Sequence, residues 1–392
     1  MDRHGLPLVK VSRRGADRLK DGHVWVYRSD ILSANGISPG ALVGVADERE
    51  KLLGTALYSS ASQIAIRMIS KEAVNDLNSL LRKRIQNAIA YRERVVRDTD
   101  AYRIVFSEGD FLPGLIVDRY NDLLSLQVLT QAMDTETVRQ VIVSELTERL
   151  KPAAIAERVD PRVRELEQLP ARSSSLLQGE QKTTVFSMNG VRFQYEAFEG
   201  QKTGAFLDQR ENYAAAAQYA RGEALDVFCY HGGFALHLAQ NCSKVTGVDS
   251  SRPALEVADR NATLNGREVE WIEANAFDLL RDYASAGQQY DTVVLDPPAF
   301  AKSKSNLATA LRGYKELNLR ALKMLRPGGI LVTCSCSYHV SPADFLEVVA
   351  QAARDMHRNL RIVENRTQAK DHPILPTVPE TAYLKCIVLA VS

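Results

Sequence analysis

Four positions in the second half of the chain sit at the ends of apolar, strand-like runs, and each carries groups able to hold or react with a ligand. The first is Asp226-Val227-Phe228-Cys229-Tyr230-His231-Gly232-Gly233-Phe234, whose glycines let backbone approach a ligand where a strand runs into a helix. It is not a GxGxxG dinucleotide fingerprint, and Gly-Gly alone also fits a plain tight turn. Asp249 adds weight, because it lies 23 residues on, at the end of the next strand, where a carboxylate can accept hydrogen bonds from both hydroxyls of a ribose. Together the two point to a nucleoside ligand. The third position is Glu273-Ala274-Asn275-Ala276-Phe277-Asp278 and the fourth Asp296-Pro297-Pro298-Ala299-Phe300. Asp-Pro-Pro-aromatic fixes a rigid turn with a carboxylate at the sheet edge and a ring close behind, which suits a planar base. A dinucleotide enzyme has no need of it.

Such groups act together only if one sheet presents them all. From about residue 205 strands alternate with helices, and the expected strands are Ala224 to Phe228, Lys244 to Asp249, Glu268 to Glu273, Thr292 to Asp296, Ile330 to Cys334 and Tyr383 to Ala390. That rhythm implies βαβ units and a Rossmann-like α/β domain with a doubly wound, mostly parallel sheet over residues 185–392. A helix starts at Ser341, with Pro342 and Asp344 in its first turn, and a hairpin at Asn189-Gly190 opens the domain. Ahead of it, residues 1–74 read as a small β-rich module with turns at Asp21-Gly22, Asn35-Gly36 and Pro39-Gly40. His23 to Tyr27 is an aromatic patch in which Trp25 reads as core. Residues 75–184 read as a central α+β module: a linker helix from about Asn75 to Val96, two strands from Tyr102 onward, a helix from Asp134 to Leu150 and a strand from Ile155 to Val159.

The 392 residues exceed one ordinary core, and 45% hydrophobic with 25% charged residues is the balance of a soluble protein. No apolar run is long enough to span a bilayer, so no membrane partner is expected, and the opening MDRHGLPLVKVSRRG lacks the features of a secretory signal, which makes the cytoplasm the expected location. Five cysteines without a CxxC pair fit neither a disulfide framework nor a zinc knuckle, and no metal is expected. Net charge is +1, yet residues 1–100 hold 17 Lys and Arg against 12 Asp and Glu, a basic front compatible with a polyanionic partner.

Further motifs sharpen the reading: Gly200-Gln201-Lys202-Thr203-Gly204-Ala205-Phe206-Leu207-Asp208-Gln209-Arg210, then Thr333-Cys334-Ser335-Cys336-Ser337, then DHPILPTVPETAYLK from Asp371 to Lys385. With the four positions above, they resemble the RlmI-like family of large-subunit (23S) ribosomal RNA 5-methylcytosine methyltransferases over nearly the whole chain. The resemblance implies an N-terminal PUA domain, a central α+β domain and a class I methyltransferase domain. It further implies S-adenosylmethionine as cofactor, ribosomal RNA as substrate and a homodimer. Carried over by motif, Asp226, Phe228, Tyr230, Gly232 and Gly233 line the methionine and ribose side, Asp249 with Ser250 meets the ribose, and Asn275 and the backbone of Ala276 face adenine. Gln209 and Arg210 sit near the amino acid end, where a guanidinium can clasp a carboxylate. Asp296 borders cofactor and base, and Pro297, Pro298, Phe300, Lys302 and Lys304 meet the RNA. One departure is Tyr230, which stands where the general class I pattern has the first glycine of GxG.

Carbon 5 of cytosine is a poor nucleophile, so the chemistry needs a thiolate to add first to carbon 6. Cys334 and Cys336 share a face on an extended strand, so periodicity does not choose between them. Cys334 still belongs to the apolar run Ile330 to Thr333, whereas Cys336 lies between two serines where the strand opens, and the family's Ser-Cys-Ser falls on Cys336. Cys336 is therefore the expected nucleophile and Asp296 the group on the N3/N4 edge of the base. The base that removes the carbon 5 proton is not identifiable from sequence. Between Phe300 and Pro327 seven basic residues face a single acid, Glu316, which fits either phosphate contacts or a solvated helix face. Two alternatives remain open: a ribosomal RNA base-nitrogen methyltransferase that needs no covalent cysteine, and a non-catalytic RNA-binding assembly protein.

Overall fold

The computed structural model describes residues 5–199, 204–301 and 303–392. The chain forms two compact units, one made of Met1–Val185, Tyr195–Gly204 and Lys370–Thr381, the other of Phe186–Gln194, Ala205–Ala369 and Ala382–Ser392.

The first unit carries two sheets. A six-stranded one runs in the order Trp25–Tyr27, Ile64–Ser70, Leu52–Tyr58, Leu42–Ala46, Leu8–Val11, Ile31–Ser33, and a five-stranded one in the order Ser175–Gln178, Ala154–Glu157, Leu123–Val128, Leu115–Tyr120, Ala101–Phe106. Where two strands were expected from Tyr102 onward there are three, because Ala101–Phe106 pairs antiparallel with Leu115–Tyr120. The helix Leu77–Val95, capped by Asp76, is more than the expected linker. Its Leu81 and Ile85 share one hydrophobic cluster with Leu57 and Ile69 of the six-stranded sheet and Val105, Leu115 and Leu126 of the five-stranded one. An apolar stripe covered on that scale makes the helix part of the core. Trp25 is half-buried, and its indole N–H donates to Glu108 at 3.0 Å.

The second unit is built on β1 (Glu223–Val227), β2 (Lys244–Asp249), β3 (Glu270–Glu273), β4 (Tyr290–Leu295), β5 (Leu325–Ser335), β6 (Leu360–Arg366) and β7 (Lys385–Val391), in the spatial order β3-β2-β1-β4-β5-β7-β6. Strands β1 to β5 are parallel, and β7 is antiparallel to both its neighbours. Among the described residues six helices accompany them: α1 (Arg210–Tyr219), α2 (Gly233–Leu238), α3 (Arg252–Leu264), α4 (Ala276–Ser285), α5 (Leu307–Met324) and α6 (Pro342–Asp355). Strand order reverses between β1 and β4, and in such sheets the crevice outside the carboxyl ends of the strands is the ligand site. Leu225, Val227, Val293 and Leu331 of the sheet pack with Leu317 and Leu322 of α5 and Phe345 and Val349 of α6. At the start of α6, Ser341 and Asp344 form the reciprocal capping box. Asn189 and Gly190 both take positive φ (51° and 81°), as a two-residue hairpin turn with matching twist requires.

Strand β6 was not expected. Leu360-Arg361-Ile362-Val363-Glu364-Asn365-Arg366 lies at the sheet edge, largely exposed and with a register shift after Ile362, so neither continuous apolarity nor clean alternation marks it. Among the described residues no helix is long and apolar enough to cross a membrane.

Candidate active site

Because β1 to β5 are parallel, Asp226, Asp249, Asn275, Asp296 and Cys336 all fall at one edge of the sheet. The loop after β1 is clamped onto the end of β2: the amides of Phe228 and Cys229 both donate to the Val248 carbonyl (2.8 and 3.0 Å), and that of Tyr230 to Asp249 Oδ2 (2.9 Å). Phe228 (φ 70°) and Tyr230 (φ 50°) hold left-handed backbone. Tyr230 thus adopts the conformation glycine supplies in the GxG pattern, at a strain of about 1 kcal/mol or more. Its ring stacks on His231 at 3.6 Å and meets Phe206 edge-on at 5.0 Å. Gly233 is fixed by packing, since a Cβ there would lie 2.5 Å from the Tyr213 ring of α1.

The two strand-end carboxylates differ in what they leave open. Asp226 is fully buried; Oδ2 accepts from the Ala235 amide at 2.8 Å, while Oδ1 meets no donor among the described residues, and burial pushes the carboxyl well above the usual range. A buried acceptor of that kind fits an incoming ammonium or hydroxyl. Asp249 accepts backbone N–H groups on both oxygens, from Tyr230 and from Ser251 (2.9 Å each), and each oxygen keeps a lone pair for a ribose hydroxyl. Ser250 follows, exposed.

Other expected cofactor residues are already engaged. Asn275 Oδ1 caps α4, accepting from Phe277 (3.0 Å) and Asp278 (3.3 Å), so this side chain has a structural task beside the adenine role drawn from the resemblance; Ala276 is buried in the first turn. Gln209, 3% exposed, donates through Nε2 to Asp296 Oδ1 at 2.9 Å and accepts from Asn212 at 2.6 Å. It therefore orients the Asp296 carboxylate. Arg210 is buried with its guanidinium 3.6 Å from the Glu211 carboxylate. Sequence reasoning passed over Trp271 of β3. Its indole covers Gly247, where a Cβ would come within 2.4 Å of the ring, and its buried N–H has no acceptor among the described residues. The only available signal was a tryptophan one strand from Asp249.

At the reacting end, Pro297 is buried and Pro298 exposed, while the Phe300 ring packs on Tyr314 at 4.8 Å and approaches Phe277 at 6.0 Å. Half-buried Cys336 lies just past β5, with Sγ 3.8 Å from the Pro297 carbonyl oxygen. Cys334 has no exposure and sits opposite Cys386 of β7, where burial raises its thiol well above the usual range. Lys302 and Gly200 to Thr203 lie outside the described residues, and Lys304 opens a short turn, Lys304–Asn306. Of the basic run, Lys315 pairs with Asp355 (2.8 Å), Arg320 with Glu316 (2.7 Å) and Arg326 with Asp291 (2.7 Å). Those pairings favour a solvated helix face over phosphate contacts for the three.

This strand order, with acids closing β1 and β2 and an Asp-Pro-Pro turn after β4, defines a class I S-adenosylmethionine-dependent methyltransferase. The family model for S-adenosylmethionine-dependent methyltransferases matches residues 115–390, and that for a PUA-like domain residues 9–71, in line with the β-rich start read from the sequence. A protein of Shewanella denitrificans named ribosomal RNA large subunit methyltransferase I is 40% identical over 386 residues, 95% of this chain and 96% of the relative. One of the same name from Photobacterium profundum is 39% identical over 94% of this chain and 95% of its own length. The chain belongs to this methyltransferase family, and its cofactor is S-adenosylmethionine. Among solved structures, SMU.776 complexed with SAH superposes with a TM-score of 0.84 at 19% identity, covering 98% of this chain and 99% of the other. A SAM-dependent methyltransferase from Agrobacterium tumefaciens gives 0.52 at 18% identity, covering 75% and 90%. Both likenesses concern the fold.

Proposed function

We propose that this protein methylates carbon 5 of a cytosine in large-subunit ribosomal RNA through a covalent adduct with Cys336. The observation that carries the reading is the place of Cys336: half-buried at the carboxyl end of β5, its sulfur faces the carbonyl of the very turn that bears Asp296. The names of the relatives support the ribosomal substrate.

S-adenosylmethionine, when bound, supplies an electrophilic methyl group. Asp249 holds the ribose hydroxyls, and Asp226, with its open oxygen, takes the polar methionine end. Cys336 adds to carbon 6 of the cytosine, which raises electron density at carbon 5, and Asp296, held by Gln209, stabilises the N3/N4 edge of the adduct. Burial keeps Cys334 a neutral thiol and unsuited to attack.

RNA carrying 5-fluorocytosine at the target tests this, because fluorine blocks the final elimination and leaves enzyme joined to RNA. Cys336→Ser should abolish both adduct and methyl transfer, and Cys334→Ser should retain both. An adduct mapped to Cys334, or full turnover by Cys336→Ser, refutes the assignment and favours methylation of a base nitrogen.

A further inference from the structure

Lys385, the first residue of β7, is buried to 7% exposure and has no carboxylate partner among the described residues. Its ammonium donates to two backbone carbonyls, Ser337 at 2.7 Å and Tyr383 at 2.9 Å. A lysine ammonium has three N–H groups, so one remains for another acceptor. Ser337 is the residue next to Cys336, and Ser335, on its other side, pairs directly with Lys385 across the antiparallel β5–β7 register. The same stretch is pinned from its opposite side. The Ser337 hydroxyl accepts from the Ala301 amide (3.1 Å) and shares a hydrogen bond with the Tyr314 hydroxyl (2.9 Å), which also accepts from Ser335 (3.0 Å). The backbone around the thiol is thus fixed, with one cation built into its support.

A buried ammonium that meets only carbonyl dipoles is poorly compensated. Burial accordingly pulls Lys385 down to about 8, and the one opposing influence is attraction to Cys336. The attraction is mutual. Other titratable groups around Cys336 include Tyr314 on α5, held neutral by burial, the buried thiol of Cys334 on β5, Cys386 on β7, exposed Tyr338 and then His339 along the same loop, Tyr383 just before β7, and Asp296, whose charge opposes a thiolate.

We propose that Lys385 is a positioning residue for methyl transfer: anchored on the Ser337 and Tyr383 carbonyls, its ammonium keeps Cys336 in the thiolate form. The proton of the Cys336 thiol goes to the neutral Lys385 amine, giving a thiolate and ammonium pair. The catalytic use of that thiolate rests on the cytosine C5 reading above, whereas its formation does not.

Alkylation of the full-length protein by iodoacetamide, followed at the Cys336 peptide by mass spectrometry across pH, reads the thiol directly. The wild type should show a Cys336 midpoint below the ~8.5 of a free cysteine. Lys385→Met, with S-adenosylhomocysteine binding retained, should move the midpoint up by about one pH unit or more and slow adduct formation on 5-fluorocytosine RNA roughly tenfold. Lys385→Arg should restore most of both. A wild-type midpoint at or above that of free cysteine overturns the inference with no variant needed, as does an unchanged profile in Lys385→Met. Failure of the C5 reading looks different: Cys336→Ser turns over while the Lys385-dependent alkylation profile stands.

Discussion

Asp226 and Asp249 end neighbouring strands and carry the same group, yet their surroundings give them different tasks. Asp249, ringed by backbone donors, is ready to receive ribose hydroxyls, and Asp249→Ala should weaken S-adenosylhomocysteine binding by about 1–3 kcal/mol in calorimetry, both by losing those bonds and by releasing Tyr230. Asp226, held protonated more readily by burial, must ionise to take an ammonium. Cofactor binding should therefore expel a proton, and affinity should fall as pH drops. Titrations in two buffers of different ionisation heat will show it; equal heats, or proton release persisting in Asp226→Asn, would count against Asp226. Much of the site was legible in the sequence at this scale because strand-end acids, Asp-Pro-Pro and Ser-Cys-Ser are local patterns. Lys385, Gln209 and Tyr230 were not understood, because their tasks come from partners 48, 87 and 19 residues away.

Strands inside the sheet are the easiest elements to read, and β1, β2, β4 and β7 fall close to where the sequence placed them, since strands buried on both faces are continuous apolar runs. Edge strands lack that mark, which is why β6 went unseen and β3 is shorter than expected. Within β2, Gly247 faces Trp271 of β3 directly across the parallel register. Gly247→Ala should displace the indole, lower stability by about 1–3 kcal/mol and reduce cofactor affinity, with thermal unfolding plus and minus S-adenosylhomocysteine as the measurement. An unchanged midpoint would show that the indole has room to move.

At the scale of the whole molecule, the basic front of the chain gains a location. Arg13, Arg14, Arg18 and His23, with Asp17, Asp21 and Thr377, line a groove of about 630 Å³ in the first unit; Arg14 and Arg18 are tied to Asp30, and Arg13, largely exposed, lies 3.6 Å from Asp17. Truncation at residue 72 is a poor test of this surface, because Leu57 and Ile69 belong to the core they share with Leu81 and Leu115. The double variant Arg13→Ala, Arg14→Ala should keep cofactor affinity, weaken RNA binding and flatten its salt dependence by about one to two in slope. Full RNA affinity in that variant would move the contact elsewhere. Strand order has one more consequence. Since β7 lies between β5 and β6, the edge strand Leu360–Arg366 has no neighbour in the sheet until Lys385–Val391 arrives. On the ribosome, a chain emerging in sequence exposes Cys336 long before the strand that brings Cys386 opposite Cys334 and, by the reading above, the ammonium that arms the nucleophile. From the addition of Cys336 to that of Lys385, 49 residues later, the nascent chain carries its reactive thiol disarmed.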